Sequence, residues 1–256
     1  MSFFSNNFNS SNNTNNTNNK GENTMDNRYF NANLDLNNPA PRCPVILLLD
    51  TSGSMSGDPI KELNAGLKQF IQETSNDEAA SMSVELEVIT FDTQVNIAMP
   101  FTPICDVEKN PAPLTTYGTT SMGKALSIAA DELKKRRQIY QDNGISSYKP
   151  WVVLMTDGCP NDNWEAPAAQ MRTLAEHNHI TFVGVEIGKG VDHATMCKIM
   201  PAVNPMLAKL DGLKFKDFFR WLTDSMGALS ASALSDQDNL RFDDISTWGS
   251  WKNFHN

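Results

Sequence analysis

Residues 45–49, Val-Ile-Leu-Leu-Leu, offer no polar side chain to water, and the run stops at Asp50. A stretch this short and this apolar predicts a strand covered on both faces, as in the middle of a parallel sheet. The character then changes at once. Thr51, Ser52, Gly53 and Ser54 are small, and a helical pattern begins beyond them, with Asp58 as its expected cap and Pro59 at its first position. Asp50, Ser52 and Ser54 are therefore expected on a loop at the carboxyl end of a central strand, where open α/β sheets bind their ligands. A carboxylate and two hydroxyls at alternate positions can turn toward one point. Such a donor set suits a hard cation, Mg²⁺ most naturally.

The same logic recurs along the chain. Ile60, Leu63, Leu67, Phe70 and Ile71 repeat at helical spacing. Residues 83–91 alternate as a strand, and Thr93-Gln94 turns them into a second short strand over 95–99, a hairpin at one sheet edge. Met122, Ala125, Leu126, Ala129 and Leu133 predict a second helix closing in Lys134, Lys135, Arg136 and Arg137, a basic run expected as a solvated helix end. Trp151–Met155 is a second fully apolar strand, and residues 180–187 are a third central one. Helices are expected over 166–177, 192–200 and 215–229, with a weaker strand over 206–210. Strands alternating with helices predict an α/β fold: a three-layer, Rossmann-like sandwich with a mostly parallel sheet, one antiparallel edge strand and helices on both faces.

Three segments are expected. Residues 1–38 are an Asn/Ser/Thr-rich arm of low complexity, read as disordered, in which Phe3, Phe4 and Phe8 are either a docking element or part of an inert tail. Residues 39–234 form the domain. Residues 235–256 are a tail whose Phe242, Ile245, Trp248, Trp251 and Phe254 recur every three residues; they are expected to pack back on the domain, the alternative being a partner-docking peptide. The net charge of −9 argues against nucleic-acid binding, which needs a basic footprint. No stretch approaches the ~20 apolar residues of a membrane helix. No secretory signal is expected at the N-terminus, and Cys43, Cys105, Cys159 and Cys197 show no CxxC spacing. Reduced thiols in a cytoplasmic protein are the expectation.

Asp50-x-Ser52-x-Ser54 after an apolar strand resembles the DxSxS that begins the metal-ion-dependent adhesion site of von Willebrand factor type A domains. That family completes the site with a Thr from a Gly-rich loop and an Asp after a later strand. Gly118-Thr119-Thr120-Ser121-Met122-Gly123 and Val152-Val153-Leu154-Met155-Thr156-Asp157-Gly158 match in the right order. The resemblance, which covers roughly residues 41–230, implies metal ligation by Asp50, Ser52, Ser54, Thr120 and Asp157. It implies Mg²⁺, with Mn²⁺ or Ca²⁺ as alternatives, and a protein partner that supplies an acidic residue. RCPVILLLDTSGSM, GTTSMGKAL and MTDGCPND further resemble bacterial TerY-type proteins of tellurium-resistance and stress clusters. That narrower likeness implies a metal-dependent adaptor with a phosphatase or kinase-like partner.

Two other functions are weighed. A Mg²⁺-dependent phosphohydrolase could use Asp50, but haloacid-dehalogenase phosphatases need a second Asp two residues on, where this chain has Ser52. An assembly subunit of a chelatase-like AAA machine is the other. No complete GxxxxGK[ST] phosphate loop occurs, since Ala125 follows Gly118–Lys124 where Ser or Thr is needed, and GxSxG and HExxH are absent; a non-enzymatic protein is expected. His193 and Cys197, four apart on a predicted helix, make at most a two-ligand zinc pair. His177 and His179 are read as surface residues. Asp58 and Asp162 are expected near the metal loop, either tuning it or capping helices. Trp164 is either a partner anchor or a core aromatic.

Overall fold

The computed structural model describes residues 34, 36–203, 205–240 and 244–252. The N-terminal arm up to residue 33, with Phe3, Phe4 and Phe8, lies outside the described residues, as do Phe242 and Phe254 of the tail. Seven strands form one sheet: β1 Cys43–Asp50, β2 Val84–Phe91, β3 Val95–Pro103, β4 Trp151–Thr156, β5 Thr181–Glu186, β6 Met206–Leu210 and β7 Gly249–Trp251. Their order is β3-β2-β1-β4-β5-β6-β7. Pairings from β2 across to β6 are parallel, and β3 is the antiparallel edge strand that the hairpin signal predicts. The opposite edge carries a further antiparallel strand, β7, supplied by the tail.

The helices are α1 Asp58–Asn76, α2 Glu78–Ser83, α3 Met122–Asp142, α4 Glu165–Glu176, α5 His193–Ile199 and α6 Phe215–Ala231. Every residue of β1 is buried because both faces are covered. Val45, Leu47 and Leu49 belong to the core beneath α1 and α6. Ile46 and Leu48 point the other way, into the core shared with α3, α4 and α5. This two-sided burial is what an uninterrupted apolar strand requires. Gly57 rather than Asp58 caps α1, so Asp58 and Pro59 are its first two residues. The short helix α2 carries no periodic apolar signal long enough to be read from sequence.

The basic run of α3 departs from its expected solvated end. The helix continues five residues past Arg137, and Arg136 is buried. Its Nε lies 2.7 Å from Glu85 Oε2, and Tyr140 OH donates to the same oxygen. Arg42 Nε approaches Glu85 Oε1 at 3.5 Å. The run looks solvated in sequence because its partner, Glu85, lies on a strand that reads as half-exposed but is covered by α3. Glu87, two residues on, is buried with no hydrogen-bond partner for either carboxylate oxygen. Burial, reinforced by the Glu132 charge, pushes its carboxyl up to about 8, against the opposing pull of Arg136 and Lys135.

The tail closes the α1/α6 face. Trp248 is fully buried, edge-on to Phe218 at 5.0 Å between ring centroids and 5.4 Å from Trp221. Its backbone carbonyl accepts from Asp211 N–H, which fixes the tail beside β6. Truncation of such a ring costs roughly 3–5 kcal/mol, so Trp248→Ala is expected to lower the chemical-denaturation midpoint strongly, with an unchanged midpoint contradicting the packing. For Glu87, the native carboxyl holds its proton between pH 4.5 and about 8 while the unfolded one does not. Stability is thus lost as pH rises through that window. Glu87→Gln is expected to flatten this slope and to raise stability above pH 7 by on the order of 1–3 kcal/mol, read from melting curves between pH 5.5 and 8.

Candidate metal centre

Three loops meet at the carboxyl ends of β1 and β4. Asp50 ends β1 and is completely buried. Its Oδ1 accepts from the backbone N–H of Ser52 at 2.8 Å, which folds the loop back over the strand end. Its Oδ2 accepts from Thr156 Oγ1, the last residue of β4, at 2.6 Å. Ser52 Oγ and Ser54 Oγ lie 3.0 Å apart, and Ser54 Oγ donates to Asp157 Oδ1 at 2.6 Å. Ser52 is buried whereas Ser54 is exposed, so the cluster opens to water on the Ser54 side.

The Gly118 loop brings the fifth oxygen. Gly53 N–H donates to Gly118 O at 3.0 Å and Tyr117 N–H to Thr51 O at 2.8 Å. Gly118 has φ of +59°, and a Cβ there would sit 1.9 Å from Thr93 Oγ1, so the turn tolerates glycine alone. Thr120 is buried, its N–H held by Asn161 Oδ1 at 3.0 Å and its carbonyl by Asn161 N–H at 2.9 Å. Gly158 shows where the donors aim. A Cβ built on it would lie 3.5 Å from Thr120 Oγ1, 3.9 Å from Ser54 Oγ and 4.0 Å from Asp50 Oδ2. Three oxygens from two loops thus surround one small space that the glycine of the third leaves open.

Burial raises the carboxyls of both Asp50 and Asp157. Hydrogen bonds from Ser52 and Thr156 oppose the rise at Asp50, and the Asp157 charge adds to it. Among the described residues no group of three or more His, Cys, Asp or Glu side chains could hold a metal. The donor set here is instead two carboxylates and three hydroxyls, oxygen only, the chemistry of a hard divalent cation. The glycine-kept space and the convergent oxygens fit such an ion, and Asp50, Ser52, Ser54, Thr120 and Asp157 are the residues that could hold it.

The structure brings all five sequence-identified residues together. It adds Thr156, Asn161, Thr93 and Gly158, which sequence reading missed. Thr156 and Gly158 flank Asp157, so the strand-end motif itself carried that signal; Asn161 and Thr93 act across loops and carried none. Asp162 is a cap: its carboxylate accepts from the N–H groups of Gly123 and Lys124 at 2.9 and 2.8 Å, at the start of α3. Asp58 pairs with Lys61 on the exposed side of α1. Trp164 packs, partly buried, against the α3–α5 core.

Residues 45–211 match the family model of the von Willebrand factor type A domain, and the chain belongs to that family. Solved structures agree on the fold. The pilus adhesin SpaC from Lactobacillus rhamnosus GG aligns with TM-score 0.60 at 13% identity, over 77% of this chain and 31% of that one. Proximal thread matrix protein 1 from the mussel byssus gives 0.52 at 19%, over 73% and 48%. Manganese-loaded TRAP protein from Plasmodium vivax gives 0.50 at 22%, over 68% and 70%. This chain thus spans about half the length of the mussel protein. Comparison with curated proteins gives no match.

A methyl group on Gly158 meets its neighbours at ordinary contact distances, so Gly158→Ala is expected to fold while filling the space between the donors. Saturating Mg²⁺ or Mn²⁺ is expected to stabilise the unaltered chain, by about 2.7 kcal/mol at a hundred times Kd, and to leave Gly158→Ala unshifted in a thermal melt. A full metal response in Gly158→Ala would place the ion elsewhere.

Proposed function

We propose that this chain is a metal-ion-dependent protein-binding module whose bound Mg²⁺, or Mn²⁺ or Ca²⁺ in its place, engages an acidic side chain of another protein. The observation that carries this reading is the convergence of the Asp50, Ser54 and Thr120 oxygens on the space beside Gly158, open to solvent at Ser54. A bound hard cation supplies local positive charge that a partner carboxylate can neutralise. The chain's own part is to hold the donors still. Thr156 and the Ser52 amide lock Asp50, Asn161 locks Thr120, and Ser54 ties Asp157 to the first loop. Tyr117, 73% exposed on the Gly118 loop, offers an aromatic contact on the rim.

The reading is non-enzymatic. Ser52 stands where a phosphohydrolase would need its acid, and its hydroxyl is turned to Ser54. Manganese loading of the Plasmodium vivax protein and the adhesin role of SpaC support the reading by analogy of fold. The TerY-type wording of the three motifs supports a bacterial stress-response or tellurium-resistance assembly, with a phosphatase or kinase-like protein as partner. The net charge of −9 disfavours nucleic acid. No helix among the described residues is long and apolar enough to cross a membrane. Four free cysteines suit the reducing cytoplasm.

Because the chain is acidic, a partner carboxylate gains nothing from general attraction. Capture of the partner from a bacterial lysate is therefore expected to vanish in EDTA and to return with Mg²⁺. Thr120→Ala is expected to weaken capture about tenfold or more while changing the melting temperature little. Equal capture in EDTA would overturn the adhesion-site mechanism.

A further inference from the structure

At the same end of the sheet as the metal centre, but two strands from β1, three side chains stand in series. Glu186 closes β5 and is 3% exposed. Its Oε1 lies 2.6 Å from Nδ1 of His193, the first residue of α5. One helical turn on, Cys197 Sγ lies 3.4 Å from His193 Nε2. A buried carboxylate beside Nδ1 selects the tautomer that donates there, which leaves the Nε2 lone pair facing the thiol. Nucleophile, base and orienting acid in this order make up the arrangement by which a neutral hydroxyl or thiol is activated.

The cluster does not make a closed zinc site. Glu186 is engaged with Nδ1, so only Nε2 and Sγ are left, short of the four donors such a site takes. Asp192 is engaged as the helix cap, accepting from Ala194 N–H, Thr195 N–H and Thr195 Oγ1. Cys197 is partly exposed, and burial followed by the Glu186 and Asp192 charges pushes its thiol up. It therefore rests as S–H and needs a base at the moment of attack, which His193 is placed to be.

We propose that Cys197 is a nucleophilic thiol, deprotonated by His193, that exchanges with low-molecular-weight disulfides and is the chain's site of reversible S-thiolation. In that step the Cys197 proton passes to His193 Nε2 as the sulfur attacks one sulfur of the disulfide. A new S–S bond forms, the old one breaks, and the departing thiolate takes up the proton. Cys197 is oxidised to the disulfide level and the leaving sulfur is reduced to a thiol, so no further oxidant is consumed. The other cysteines set the contrast. Cys105 and Cys159 are exposed and have no histidine partner among the described residues, and burial pushes the Cys43 thiol up to about 12. Exposure alone would make Cys105 and Cys159 react first; the relay reverses that order.

The full chain is incubated with glutathione disulfide, and mixed disulfides are mapped by peptide mass spectrometry over time. Cys197 is expected to react about tenfold or more faster than Cys105 and Cys159. His193→Gln is expected to bring it down to their rate without altering theirs. If His193→Gln fails to fold, the rate order among the three thiols of the unaltered chain decides. Cys197 reacting no faster than the exposed thiols, or an unchanged rate in folded His193→Gln, would each overturn the proposal.

Discussion

The candidate centre hangs on one buried carboxylate. Asp50 is wholly removed from water and accepts from the Ser52 amide on its own loop and from the Thr156 hydroxyl on the neighbouring strand. Those two bonds register the first loop against the third. The second loop is then fixed by backbone bonds at Gly53 and Tyr117 on one side and by Asn161 on the other. Remove the carboxylate and the loops lose their common reference, although each would still be tethered to its own strand.

This arrangement depends on what lies beneath it. β1 sits between β2 and β4 with both faces buried, so its end is firmly held by packing on every side. A parallel sheet also delivers the ends of β1, β4 and β5 to one side, so that Asp50, Thr156 and Glu186 all occur at strand ends. The candidate metal centre and the proposed Cys197 relay thus share the carboxyl end of the sheet. The opposite end of β2 places a different demand on the core: Glu85 is buried and matched by Arg136 and Arg42, whereas Glu87 is buried and unmatched. A buried carboxyl without partners holds its proton, as Glu87 does, rather than carry an uncompensated charge.

Much of this was legible in the residues. Apolar runs too short for helices and too apolar for half-exposed strands give β1, β4 and β5, and the oxygen-rich segments after β1 and β4 place the donors. What escaped reading was long-range. Arg136 looks like a solvated helix end until Glu85 is placed beneath it, 51 residues away in the chain. Asn161 looks like loop filler until Thr120 is set against it. The strand β7 is too short and too poorly alternating to be recognised, although the spacing of Ile245, Trp248 and Trp251 did mark the tail as apolar. Glu186 was invisible as part of a cluster because nothing in the sequence says that the end of β5 meets the first turn of α5. Motifs compact in sequence were readable; pairs made by the fold were not.

The proposed binding function requires an ion held by oxygens from three loops. Anomalous diffraction from crystals grown with Mn²⁺ tests this most directly. A single strong peak within coordination distance of the Asp50-Ser52-Ser54 loop, Thr120 and Asp157, lost when EDTA replaces Mn²⁺, is the result it predicts. No peak there at saturating Mn²⁺, or a peak confined to other residues, would contradict it.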